Sequence, residues 1–80
     1  MNHFLLVFDR ARGCLLSQTT YEDHRVALMA RFEAERLHDD NPDVEVVVLA
    51  AESVEDLHRT HGRYFFTISE LAARAAATLG

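Results

Sequence analysis

The sequence predicts a small two-layer α+β domain: a mainly antiparallel three-stranded sheet in the order 2-1-3, backed by helices on one face, with an added C-terminal helix. Three observations carry this. Two short strand-like runs flank a glycine near the start, a long segment without Gly or Pro follows with apolar residues at helical spacing, and a run of valines precedes a second capped segment. The element order is β-β-α-β-α within a single domain, residues 1–80, in which the stretch 66–80 is peripheral.

The first run, HFLLVFDR (3–10), is apolar, rich in strand formers and bounded by polar residues. Ala11-Arg12-Gly13 follows, with Gly13 free to take the positive φ of a tight turn. CLLSQTTY (14–21) is then the second strand of a hairpin. DHRVALMARFEAERLH (23–38) reads as a helix with Asp23 as N-cap. Its period sets Ala27, Leu28, Arg31, Phe32 and Glu35 on one side, with Leu28 and Phe32 as anchors against the sheet. Asn41-Pro42 stops the helix and turns the chain.

The next run, VEVVVLAA (44–51), is nearly continuous in Val and Leu and suits a central strand covered on at least one face. Ser53-Val54-Glu55-Asp56 is a capping signature for a helix reaching about Gly62. Tyr64-Phe65-Phe66 is then irregular chain or a short edge strand. Thr67-Ile68-Ser69-Glu70 forms a capping box before an Ala-rich helix. A right-handed crossover from the second strand to the third puts the third beside the first. Such a small sheet has two open edges, an exposure that proteins commonly relieve by pairing with a second copy.

Eighty residues with 49% apolar and 26% charged side chains make an ordinary globular composition. At this size a deep enclosed cleft is not expected, which weighs against a self-contained enzyme. The net charge of −5 opposes the broad basic field on which non-specific nucleic-acid binding rests. All the basic residues are arginines, whose planar forks suit carboxylates or phosphates. Cys14 stands alone, so neither an internal disulfide nor a cysteine zinc site can form; a reducing, cytoplasmic setting is the plain reading. The apolar run FLLVF is too short for a signal core, and no stretch approaches the roughly 20 apolar residues of a membrane span.

Catalytic constellations are not legible. Cys14, in a predicted strand next to leucines, reads as a buried and inert thiol. Ser53 and Ser69 are helix starts, and with only three glycines no phosphate-cradling loop is present. No cofactor is expected, and no metal. His58 and His61, three apart on a helix, could share an ion, but a stable zinc site needs three or four ligands. The one compact concentration of chemistry is DLHRTHGRYF (56–65). There His58, Arg59, His61, Arg63 and Tyr64 could form a patch for a partner or an anion, arginine and tyrosine being common interface anchors. The same residues could equally be a helix end whose positive charge complements the carbonyl end of the dipole.

At LLVFDRARG, RFEAER, VEVVVL and RTHGRYF the chain resembles a group of short actinobacterial-type proteins with no known activity. They open with a strand, Asp-Arg and a Gly turn, and carry a Thr-His-x-Arg-Tyr-Phe block. The resemblance covers residues 3–65 and implies no catalytic residue; it directs attention to Thr60, His61, Arg63 and Tyr64. Three functions are therefore open. The first is a non-enzymatic protein–protein interaction module that self-associates and presents Arg59, Arg63 and Tyr64. The second is an anion- or nucleic-acid-binding accessory protein using Arg59, His61, Arg63 and Tyr64. The third is a metal-assisted hydrolase built on His58 and His61.

Overall fold

The computed structural model describes residues 1–66 together with Glu70 and Ala73. The C-terminal helix expected after Phe66 lies outside the described residues. The hairpin strands are β1 (Asn2–Asp9) and β2 (Cys14–Tyr21), followed by helix α1 (His24–Leu37), β3 (Val44–Ala51), helix α2 (Val54–Thr60) and a 3-10 turn, η1 (Gly62–Tyr64). The sheet order is β2-β1-β3, with β1 antiparallel to both neighbours, as the sequence predicts. No helix among the described residues is long and apolar enough to cross a membrane.

The hairpin closes through its own polar groups. The Gly13 amide donates to the Asp9 carbonyl at 2.8 Å, and the Asp9 carboxylate accepts the Arg12 amide at 3.1 Å. Gly13 takes a φ of +67°, the only positive value among the described residues. A Cβ there would meet nothing within 4 Å, so the constraint is conformational alone. Gly13→Ala is accordingly expected to cost about 1 kcal/mol, a drop of roughly 4–8 °C in Tm for a domain of this size. Thermal denaturation followed by circular dichroism measures it, and an unchanged Tm would contradict the account.

β1, not the valine run, is the central strand. Phe4, Leu5, Leu6, Val7 and Phe8 are all buried, as a strand covered on both faces requires. β3 is a half-buried edge, where the order 2-1-3 places it. Alternation divides β1 into two rows. Phe4, Leu6 and Phe8 cluster with Ala51, Leu57 and Tyr64, and the half-buried Leu15, Val47, Leu49 and Phe65 pack around them. The other row, His3, Leu5 and Val7, lies under α1, as the contact between the His3 and His24 rings marks.

The helices therefore do not share one face. α1 covers the odd-numbered row, while α2 and η1 cap part of the even-numbered row. The reason is parity. Leu57 and Tyr64 complete the phenylalanine-rich side, on which α1 contributes nothing to the cluster.

α1 itself starts where expected, the Asp23 carboxylate accepting the Arg25 amide at 2.8 Å. Its rotation differs from the one predicted. Ala27 is fully buried, Leu28 half-buried, and Phe32 is 64% exposed. Small Ala27 and half-buried Ala34 turn towards the sheet, and five helical positions from Ala27 to Phe32 carry the phenylalanine well round the helix. The expected Phe32 anchor thus faces outward, together with Val26, Met29 and Leu37. After α1 the Asn41 side chain accepts the Asp43 amide at 3.0 Å, and Asn41 O accepts Val44 N, forming the turn into β3.

Candidate functional site

The Arg/His/aromatic stretch folds as α2 followed by η1. Ser53 Oγ accepts the Asp56 amide at 3.1 Å and sets the start of α2. The helix stops at Thr60, two positions before the expected Gly62, and the His61 amide closes it on the Leu57 carbonyl at 2.9 Å. Gly62 O then accepts both Phe65 N and Phe66 N, winding the tight η1 turn. Residues 64–66 accordingly form a turn and no strand.

This winding swings Tyr64 inward. Its ring meets Phe8 edge to face at 5.3 Å, and its hydroxyl donates to Glu45 Oε2 at 2.5 Å. Glu45 is the register partner of Phe8, so both point to the face that α2 and η1 cover. Arg63 donates to the same Glu45 oxygen at 2.9 Å, contacts the Tyr64 hydroxyl, and lays its guanidinium 4.1 Å from the Tyr64 ring centre. The Tyr64 hydrogen bond, helped by the charges of Arg63 and Arg10, holds the Glu45 carboxyl below its ordinary range against the cost of burial. Burial first, then the hydrogen bond and charge of Glu45, push the Tyr64 phenol up to about 12. A phenol and a carboxylate so placed stay neutral and charged respectively near pH 7, so the pair is a lock between β3 and η1 and is not poised to exchange protons with a substrate.

The other members of the stretch take separate partners. Arg59 pairs with Asp56 at 3.2 Å, one turn back. The His58 ring lies 4.1 Å from the Phe65 ring and meets Phe66 edge to face. His61 serves as the helix cap through its backbone. Of the predicted patch, then, Arg63 and Tyr64 come together, and His58, Arg59 and His61 engage elsewhere. Glu45 was missed. The signal for it was a lone carboxylate inside a valine strand, a group that needs a partner if its face is covered.

Open cavities lie along the sheet among the described residues. One of about 260 Å³ is lined by Gly13, Cys14, Leu15, Tyr64, Phe65 and Phe66. Cys14 is exposed, not buried as expected, because β2 is the outer strand of the hairpin and most of its residues face solvent. Among the described residues the lining of this cavity holds no histidine or carboxylate to activate the thiol. The second, of about 350 Å³, is lined by Glu35, His38, Asp39, Asn41, Val44 and Val46. Among the described residues no three His, Cys, Asp or Glu side chains gather around a point that could hold a metal ion. Compared with known proteins, the chain matches no protein-family model, no curated protein and no solved structure.

Proposed function

We propose that the protein is a non-enzymatic interaction module that self-associates, and that the outward face of α1 is the surface it uses. The observation that carries this is the rotation of α1. Val26, Met29, Phe32 and Leu37 lie on one broad side of the helix, between 46% and 71% exposed. Contiguous apolar surface of this kind marks an interaction site more often than it marks idle surface.

The occupant we propose is a second copy, with its α1 antiparallel. About a two-fold axis near Phe32, Val26 of one chain meets Leu37 of the other, and Met29 and Phe32 fill the middle. Arg25 then faces Asp39 of the second copy, and neither has an ion pair among the described residues. A 14-residue helix is about 21 Å long, so this contact is smaller than the roughly 800 Å² per partner of a standard interface. A dissociation constant in the micromolar range follows.

Sedimentation velocity across micromolar concentrations is the test. The chain is expected to be dimeric at the upper end. Phe32→Glu should leave it monomeric with the Tm of the dilute, monomeric wild type, since the side chain supports no core. A strict monomer throughout, or a dimer indifferent to Phe32→Glu, would overturn the reading. Against the anion- or nucleic-acid-binding alternative, the exposed guanidiniums of Arg59 and Arg63 already face Asp56 and Glu45, which weakens their field. Against a hydrolase on His58 and His61 stands the close contact of the His58 ring with Phe65.

A further inference from the structure

At the start of α1 the fold brings together two imidazoles that lie 21 positions apart. His3 stands near the start of β1, on the row that α1 covers, and His24 is the first residue of α1. The Asp23 cap fixes where the helix begins and so where His24 sits. The two Nδ1 atoms are 3.4 Å apart, with ring centres at 4.8 Å and planes tilted by 51°. Nitrogen therefore faces nitrogen, and the rings are not stacked. Neither side chain has another hydrogen-bond or ion partner among the described residues.

That separation is informative. A divalent ion held about 2.0–2.1 Å from each of two imidazole nitrogens at a tetrahedral angle requires them to be about 3.3–3.4 Å apart. The pair thus stands at ligand spacing, anchored on two different elements, and an ion taking the site displaces the hydrogen bond that one neutral Nδ1–H donates to the other ring. Imidazole suits zinc, nickel and copper, and within that series affinity peaks at copper(II). We propose that His3 and His24 form a two-imidazole site for a divalent first-row ion of this group, its remaining positions open to water or an outside ligand. Occupation clips the start of β1 to the start of α1. The argument for this site does not rest on the self-association proposed above.

Titration of the full-length chain with CuCl2 and ZnCl2, read by calorimetry and by the imidazole nitrogen resonances, is the test. One ion per chain is expected, with copper bound more tightly and the His3 and His24 resonances alone displaced. His3→Ala and His24→Ala should each weaken binding by about a hundredfold, the second imidazole otherwise binding at the high effective concentration of a tethered ligand. Cys14→Ser and the double variant His58→Ala/His61→Ala should bind as the wild type does. Saturating ion should also raise Tm in the wild type and not in His24→Ala. Absence of saturable binding below about 1 mM on the affinity scale of single contacts, or binding that survives His24→Ala, would overturn the proposal. So would loss of binding in Cys14→Ser, which would assign the ion to the thiol.

Discussion

Phe4→Ala is expected to destabilise the protein by about 3–5 kcal/mol, enough to leave a domain of this size largely unfolded at 37 °C. Phe4 is 1% exposed and sits in the central strand, in one cluster with Leu6, Phe8 and Leu57. Removing its ring deletes the transfer energy of the side chain and leaves a hole that the flanking ladders on both sides of β1 hinder from closing. Phe32 makes the control. It is the same residue type, 64% exposed, and Phe32→Ala should change stability by no more than about 0.5 kcal/mol. Urea denaturation of the two variants side by side decides the matter. Equal losses would mean that α1 is rotated as the bare periodicity suggests, with Phe32 inside.

The second large effect belongs to Tyr64. Tyr64→Phe keeps the ring against Phe8 but removes the hydroxyl that Glu45 accepts, and a hydrogen bond to a charged group is worth about 1.5–3 kcal/mol. The loss should depend on pH in a defined way. Glu45 has a folded-state value below its ordinary 4.5, so its contribution is present above that pH and disappears as pH falls through the lowered value. Tyr64 is raised from 10 to about 12, so its contribution is full below pH 10 and disappears as pH rises towards 12. The stability difference between wild type and Tyr64→Phe should therefore form a plateau from about pH 5 to pH 10 and shrink at both ends. A difference that is flat with pH, or below about 0.5 kcal/mol, would remove the lock from the account. In the variant the Glu45 carboxyl should titrate nearer its ordinary value, as carbon NMR would read directly.

Much of this architecture was legible in the sequence because its punctuation is local. Gly13, Asp23, Asn41-Pro42 and Ser53 each impose a turn or cap by chemistry that acts within four residues, and each sits where that chemistry requires. What misled was information that only the assembled sheet contains. The rotation of α1 was ambiguous because its apolar residues surround more than one side, and the small Ala27 and Ala34 allow closer approach to the sheet than Phe32 would. Cys14 looked buried because leucines follow it, although the outer hairpin strand exposes most of its length.

The candidate site divides on the same line. The cluster at residues 56–65 drew attention by its composition, and Arg63 and Tyr64 do meet there. Their partner Glu45 lies on β3, 18 positions before Arg63, a distance at which spacing carries no signal. His3 and His24 illustrate the point more sharply. Neither has another histidine near it in the sequence, and only the pairing of the helix start with the first strand makes them adjacent.

The place of β1 between its two neighbours also orders events in time. Asp9 finds its hairpin partner Cys14 five positions along the chain, whereas its other partner, Val44, is thirty-five positions away. Closing the shorter loop costs less entropy, so the hairpin is the piece able to form first. Until β3 and Leu57 arrive, the Phe4-Leu6-Phe8 row stands open to water on a ribbon with an unpaired flank. That interval, and not the finished molecule, is when the chain is most exposed to mistaken pairing with its own copies.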